Sequence, residues 1–464
     1  MTSRKINFPE YQKISRILSA YDAYLVGGAV RDLLLGRPVR DLDFALPDKV
    51  RGAAKDVADQ LGGAYYVLDE ERDTARVILR SESGFRSALD FTTFQGADLS
   101  ADLGARDFTI TAMALPLEGD RALIDPLGGA RDLRKGLIKA CSPTALGEDP
   151  IRTLRAVRMA VDLDFRIETG TKDLIREAAP GLEGVSPERV RDELFRILEN
   201  RDSAAALRAM KILGLTPYVL PDGIGVPEER IRVLACLDGF WQTLAEEYDP
   251  EKAADLFSGM LVTRLGRYRE KLTQRLNTHL VPGRNLKGLV HLTSLFPEPG
   301  EGLNQVAAHL KLSGRETQRV EQIRRGAGAF LEDEGYTSPE VPIQAYRFFK
   351  HFGEGGVEGI FLALARERSR RPFRSPAVDW SRLLDGARFY LEAWWEKHDR
   401  WVEPELLLDG HQLMEAFELT AGPWVGNLLE RIREAQVTGQ VKTPGEALQL
   451  AEQILDQDLR GDTL

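Results

Sequence analysis

The stretch Leu25-Val26-Gly27-Gly28-Ala29-Val30-Arg31-Asp32, followed by Asp41-Leu42-Asp43, decides how this chain is read. Tyr24-Leu25-Val26 is a short β-prone run that stops at two glycines. Adjacent glycines after a strand let backbone N–H groups approach a phosphate without obstruction by a Cβ, which makes Gly27 and Gly28 candidate phosphate-binding residues. Arg31 adds a planar cationic fork suited to triphosphate oxygens. The spacing matches neither a Walker loop nor GxGxxG. In a strand, Asp41 and Asp43 point to one side and Leu42 to the other. Two like charges at that spacing repel, and a divalent cation resolves the repulsion; hard oxygen ligands suit Mg²⁺. Two such ions roughly 3.5–4 Å apart can hold both the entering and the leaving oxygen of an in-line phosphoryl displacement.

Working outward, Asp41 to Leu46, Ala75 to Leu79, Ala88 to Phe94 and Ala122 to Asp125 read as further strands, and Asp56 to Leu61 as a helix stopped by Gly62-Gly63. Strands and helices mixed in this way imply an α+β sheet domain. After Pro150 the periodicity becomes helical over 151–163, 171–179 and 187–199, with Ser186-Pro187 as N-cap and first turn. Helical patterns then run to the C-terminus. A linker is expected over Phe373 to Ala377, and a last unit from Val378, where tryptophans concentrate.

The 464 residues carry 62 Lys and Arg against 72 Asp and Glu, a net charge of −10, which argues against indiscriminate coating of nucleic acid. Local basic clusters stand out nonetheless: Arg264, Arg267, Arg269, Lys271 and Arg275, continuing to Arg284 and Lys287, and the arginines between Arg366 and Arg374. Two distant cysteines, Cys141 and Cys236, make neither a disulfide framework nor a cysteine-based zinc site. No run approaches the ~18–20 apolar residues of a membrane helix, and the N-terminus lacks a secretion signal, so a cytoplasmic protein is expected.

The string LVGGAVRDLLLGRPVRDLDFAL resembles the signature of polymerase-β-like nucleotidyltransferases, specifically bacterial class II CCA-adding enzymes and their poly(A) polymerase relatives. Four further motifs follow in order. Arg106-Asp107-Phe108-Thr109-Ile110-Thr111-Ala112 resembles RRDFTINA, with Ala105 in place of its first Arg and Thr111 of its Asn. Asp125-Pro126-Leu127-Gly128-Gly129 with Asp132-Leu133 resembles DPxGGxxDL. Glu148-Asp149-Pro150-Ile151-Arg152 through Arg155 and Arg158 resembles the base-selecting motif. Ser186-Pro187-Glu188-Arg189 with Glu193-Leu194 resembles the last motif of the neck. The resemblance implies an α+β head over 1–140, a helical neck over 141–205, a helical body with a degenerate HD-like region over 206–375, and a helical tail over 376–464.

It also implies roles. Asp41 and Asp43 hold Mg²⁺ and activate the 3′-hydroxyl of an RNA against a nucleotide α-phosphate, with Asp90 as a candidate third catalytic carboxylate. Gly27, Gly28 and Arg31 meet the triphosphate, and Arg106 and Asp107 lie near the sugar, where a carboxylate accepts from the 2′-OH. Asp149 and Arg152, three residues apart on a helix, share a face. Such a pair complements the amine-beside-acceptor edge common to cytosine and adenine and leaves mismatched groups against uracil and guanine. Arg155 and Arg158 continue a basic stripe toward the triphosphate.

The expected function is completion or repair of the tRNA 3′ CCA end from CTP and ATP, with pyrophosphate released and with tRNA recognised at its 3′ end and elbow through sequence-blind phosphate contacts at the Arg264–Arg275 cluster. The stretch Phe91–Ala105, between Asp90 and Arg106, is shorter than in many full CCA-adding relatives, where a flexible segment serves the switch from C to A. That brevity raises a CC-adding enzyme as the alternative. A poly(A) polymerase and an RNA-binding protein with a decayed head are the remaining readings. His398-Asp399 is the only His-Asp dipeptide, and no second hydrolase site is expected.

Overall fold

The computed structural model describes residues 8, 10–80, 86–117, 122–221, 224, 226–244, 256–296, 302–332, 342–370, 377–418 and 420–461. The chain forms two compact units, Met1–Asn200 with Arg208–Val219, and Arg201–Leu207 with Leu220–Leu464.

In the first unit α1 (Tyr11–Leu18), β1 (Tyr24–Val26), α2 (Gly28–Leu35), β2 (Leu42–Leu46), α3 (Val50–Leu61), β3 (Ala64–Asp69), β4 (Thr74–Arg80), β5 (Arg86–Thr93), α4 (Leu99–Gly104) and β6 (Ala114–Pro116) make the α+β head. Its six-stranded sheet has the order β3-β4-β5-β2-β1-β6, with β2 and β5 parallel and the other pairs antiparallel. The reading of β2 holds: Leu42 and Phe44 are fully buried, Phe44 stacks on Phe91 at 5.1 Å, and Asp43 faces the other side. The α3 pattern buries Val50, Ala53, Ala54, Val57 and Ala58, one apolar stripe at helical spacing, which packs on β4. Gly62 ends α3 in the left-handed region at φ 68°. Two strands of this sheet escaped the sequence reading. The edge strand β3 has no clean two-residue alternation of burial, and β6 is three residues long. The strand expected at Ala122–Asp125 is only an isolated bridge between Ile124 and Ala114.

The first unit continues with α5 (Gly129–Arg134), β7 (Leu137–Ile138), α6 (Ala145–Glu148), α7 (Arg152–Leu163), β8 (Arg166–Ile167), α8 (Thr169–Ala178) and α9 (Pro187–Leu198). Ser186 stands at the N-cap of α9 without a capping hydrogen bond, and Pro187 starts the helix. Asp125 caps α5 instead, accepting from the N–H groups of Gly129 at 2.6 Å and Ala130 at 2.9 Å. A Cβ on Gly129 would stand 2.0 Å from the Thr109 carbonyl oxygen, so only glycine fits this turn.

The helices α10 (Ser203–Ile212) and α11 (Thr216–Val219) come next, and the second unit continues with α12 (Glu228–Thr243), α13 (Leu256–Leu265), α14 (Arg269–Leu276), α15 (Leu286–Ser294), α16 (Leu303–His309), α17 (Gly314–Glu332), α18 (Pro342–Phe352), α19 (Gly355–Arg370), α20 (Ala377–Glu396), α21 (Gly410–Ala416), α22 (Pro423–Val437) and α23 (Pro444–Gly461). The large apolar core runs through α12, α17, α19 and α20 and takes in Trp380, Trp394, Trp395 and Trp401, continuing across position 376. A separate small core spans Leu408 to Ile454. Most of the linker expected at Phe373–Ala377, with Arg371 and Arg374, lies outside the described residues.

The second unit also buries a polar chain. Trp241 Nε1 donates to His291 Nε2 at 2.8 Å, which leaves the ring proton on Nδ1 facing Ser203 Oγ at 3.2 Å, and Ser203 Oγ lies 3.0 Å from both Asp238 carboxylate oxygens. The Asp238 carboxyl is pushed up to about 7 by burial, against the Ala204 N–H, Lys287 and Ser203, with Asp202 adding to the rise. The folded chain thus keeps a proton that the unfolded chain releases near pH ~4. Stability from this group is therefore expected to fall as pH rises from about 4 to about 7. Thermal unfolding at about pH 5 and about pH 8 checks this: Asp238→Asn flattens the difference, and an unchanged difference contradicts the assignment.

Candidate active site

A cavity of about 1050 Å³ opens on the head where β1 meets α2, and it is lined by Gly28, Arg31, Asp41, Asp43 and Asp90. Gly27, at φ +71°, turns the chain from strand into helix, and a Cβ there would stand 2.9 Å from Asp43 Oδ2. Glycine therefore provides both the turn and the close approach of backbone to carboxylate. The unpaired N–H groups that open α2 lie at this turn.

Register brings the third carboxylate in. Asp43 pairs with Asp90 across the parallel β2–β5 ladder. Asp41 lies just before β2 and accepts from the Ala88 N–H at 3.1 Å. The Asp43 carboxyl is pushed up to about 6, first by burial and then by the Asp90 charge, with Asp41 adding to it against Arg106 and Arg155. Asp90 itself is clamped by Arg76, Nε to Oδ1 at 2.6 Å and Nη2 to Oδ2 at 2.8 Å. Among the described residues no three His, Cys, Asp or Glu side chains form a metal-holding group. Asp41 and Asp43 offer two carboxylates at the β2 end of the cavity, hard oxygen donors of the kind that fits a divalent cation. The repulsion felt at Asp43 is the observation favouring that fit.

Several expected contacts are engaged within the protein. Arg31 makes a bidentate pair with Asp32 at 2.9 and 3.0 Å, beside Met159. Arg106 is held on Asp102, which is 3% exposed. Asp107 accepts from the Phe108 N–H, the Thr111 hydroxyl, and Arg155 Nε and Nη2, at 2.6 to 2.9 Å. Those four donors occupy its lone pairs, and the carboxylate, expected near the sugar, orients Arg155. Thr111 takes part where the resembling motif has Asn. Arg158 pairs with Glu193 at 2.5 Å and with Asp162 at 3.4 Å, so the Arg155–Arg158 stripe is neutralised along its length.

A second cavity of about 400 Å³ contains Asp149 and Arg152 together. They do not share a helix, however. Asp149 is extended at φ −141°, ψ 91°, and α7 begins at Arg152. The residue before a proline is pushed out of the helical region, and Pro150 follows Asp149, so this signal lay in the sequence. Asp149 Oδ2 accepts from Arg189 Nη2 at 2.8 Å. Arg152 donates from Nη1 to Ala145 O at 3.0 Å and Arg106 O at 3.5 Å, and from Nη2 to Ala105 O at 3.0 Å. Sequence reasoning assigned no role to Arg76, Arg189 or Arg196, of which Arg196 lines both cavities. The charged Arg76 within the apolar strand run Ala75–Leu79 was the available signal.

The basic cluster of the second unit is also satisfied internally. Arg264 pairs with Asp385 at 2.6 Å, Arg267 with Glu396 at 2.6 Å, and Lys271 donates to Trp395 O at 3.0 Å. Arg275 pairs with Glu358, and Arg269 has a partner as well. The cations expected to meet RNA phosphates thus fasten helices to one another as well.

Comparison with known proteins agrees with the geometry. Residues 23–139 match the Poly A polymerase head domain, 164–223 an RNA and SrmB binding site of polymerase A, and 402–451 the tRNA nucleotidyltransferase domain 2. The chain is 32% identical to the CC-adding tRNA nucleotidyltransferase of Geobacter sulfurreducens, covering 92% of this chain and 90% of that protein. It is 33% identical to the A-adding tRNA nucleotidyltransferase of Deinococcus radiodurans, covering 92% and 94%. A CCA-adding enzyme solved with ATP shares the fold at a TM-score of 0.65 and 23% identity, over 96% of this chain and 94% of that one. With this relationship along nearly its whole length, the chain belongs to the bacterial tRNA nucleotidyltransferase family of enzymes.

Proposed function

We propose that this enzyme adds cytidines from CTP to the 3′ end of a tRNA lacking CCA, leaving the final A to another enzyme. The observation that carries the restriction to C is the β5–α4 connection. Only residues 94–98 separate β5 from α4, and they are tied down: Gln95 N–H donates to Asp102 Oδ1 at 2.9 Å, and Asp98 caps Ala101 N–H at 2.8 Å. A long flexible segment, which serves the switch to A in full CCA-adding relatives, has no place in that connection. The CCA-adding enzyme of Limosilactobacillus reuteri, 38% identical over 45% of this chain and 53% of that protein, keeps the full CCA reading as the second one.

In this reading Asp41 and Asp43 hold the divalent cation, magnesium by the preference of that ion for carboxylate and phosphate oxygens. When bound, the ion supplies Lewis-acid stabilisation to the α-phosphate and lowers the pKa of the attacking hydroxyl. The N–H groups opening α2, beginning at Gly28, receive phosphate oxygens, and Arg31 turns from Asp32 toward them. A bond forms from the RNA 3′-oxygen to the α-phosphorus, the bond to the β-phosphate bridging oxygen breaks, and pyrophosphate leaves with the hydroxyl proton passing to solvent.

Asp149 and Arg152 select the base. Arg152 is held by three backbone carbonyls, which leaves Nε–H and one Nη2–H for a ring acceptor, and Arg189 orients Asp149 to accept from the exocyclic amine. Asp149→Ala is expected to reduce the preference for CTP over UTP by about 100-fold or more while the protein stays folded. Competition of labelled CTP and UTP at one primer reads the ratio, and unchanged rejection of UTP speaks against the role. The function itself is tested by giving the protein a tRNA that ends before CCA with CTP, ATP or both. Extension by two nucleotides in every reaction containing CTP, with no growth when ATP is added, supports this reading. Extension by three supports the full CCA reading, and long A tracts defeat both.

A further inference from the structure

Away from the residues discussed so far, α16 and α17 border a cleft of about 1060 Å³ in the second unit. Arg324 lines it from α17 and is only 5% exposed. Its Nε and Nη1 have no hydrogen-bond partner. Glu321 Oε2, its ion-pair neighbour, is 3.6 Å from Nε, beyond hydrogen-bond reach. A buried guanidinium whose Nε and Nη1 lack a protein acceptor is costly to the fold. The backbone beneath it is rigid. A Cβ on Gly359 of α19 would stand 2.9 Å from Ala327 N and 3.0 Å from Ile323 O, so α17 and α19 touch backbone to backbone on either side of Arg324. The side chain is thus held in place with two donors, Nε and Nη1, that have no hydrogen-bond acceptor among the described residues.

The chemistry that fits is an oxyanion beside the guanidinium, with Arg325 adding charge from the next position. The cleft is far larger than a lone anion, and Asn304, Gln305 and Gln318 line it with neutral amides able to meet a sugar hydroxyl or a base edge. Glu321, the acid at the rim, offsets part of the charge. We infer that this cleft receives one nucleotide unit of an RNA strand, its phosphate on Arg324 and its sugar or base against the amides. This rests on RNA being the enzyme's substrate, but not on which nucleotide the enzyme adds.

The test uses full-length Arg324→Met and Glu321→Gln. Three readouts are taken: binding of a tRNA lacking CCA over a range of salt, binding of CTP and of inorganic phosphate, and thermal unfolding of the free protein. Arg324→Met should weaken tRNA binding roughly tenfold and make its salt dependence shallower by about one ion. CTP binding should not change, and the unfolding midpoint should stay the same or rise, since a buried charge with two unsatisfied donors is gone. Glu321→Gln should tighten tRNA binding, which keeps the inference testable through a second variant. A lowered midpoint with unchanged tRNA affinity and salt slope makes Arg324 structural and overturns the inference. Loss confined to CTP or inorganic phosphate overturns it in favour of a small-molecule site. A protein that binds tRNA through this cleft yet adds no nucleotide would defeat the proposed function and leave this inference standing.

Discussion

Asp43→Asn is expected to lower nucleotide incorporation by roughly 10³-fold or more, with tRNA binding and the folded state retained. The reasoning separates the two outcomes. The carboxylate lies beside Asp90 and the Gly27 turn, where burial and like charge raise its proton affinity to about 6. Ionised Asp43 is therefore a burden on the fold, and a neutral isostere removes the repulsion. Under the proposed function, what the amide cannot do is join Asp41 in holding a divalent ion. Single-turnover incorporation of labelled CTP, read beside the thermal midpoint, checks the split. Incorporation by Asp43→Asn within tenfold of the parent would reject the metal-holding role.

Arg155→Met should be the most destabilising of these changes, at about 3 kcal/mol, the low end for a broken buried pair because the Arg155 side chain keeps 36% exposure. Asp107, 8% exposed at its side chain, would be left with an unneutralised charge among Phe108, Thr111 and Cys141. Burial raises the Asp107 pKa, and Arg155, Thr111 and the Phe108 N–H outweigh it, so the folded value lies below the ordinary one. A depressed folded pKa stabilises above the unfolded value near ~4 and is lost as pH falls through the folded one. Arg155→Met should therefore lose this acid-side dependence along with its stability, and denaturant melts at about pH 7 and about pH 3 measure both. A midpoint within 0.5 kcal/mol or so of the parent would show that Asp107 is satisfied without Arg155.

How far the sequence could be read depended on the range of the interaction. The Gly27-Gly28 turn and the Leu42–Asp43–Phe44 alternation are local, so strand, turn and carboxylate placement followed from spacing of two residues. That Asp90 stands beside Asp43 required the β2–β5 register, which spacing within one strand does not contain. The placement of Asp149 was legible in Pro150, but the i, i+3 spacing to Arg152 drew it onto a helix it does not join. The basic cluster looked unpaired for a different reason. Counting charges between Arg264 and Lys287 finds one acid, whereas the acids that neutralise it, Asp385, Glu396 and Glu358, come from helices about a hundred residues on. Local charge excess reports a free surface only when no distant element packs against it. Arg324 is the converse, an unremarkable residue in sequence whose isolation only packing creates.

The most direct measurement is a crystal of the enzyme grown with CTP and Mn²⁺, examined for anomalous scattering from the ion. The expected result is a peak bridging Asp41 and Asp43, with the triphosphate against the N–H groups from Gly28 and Arg31 swung off Asp32. An ion and triphosphate bound elsewhere, with Asp41 and Asp43 unliganded, would contradict the site described for this chain.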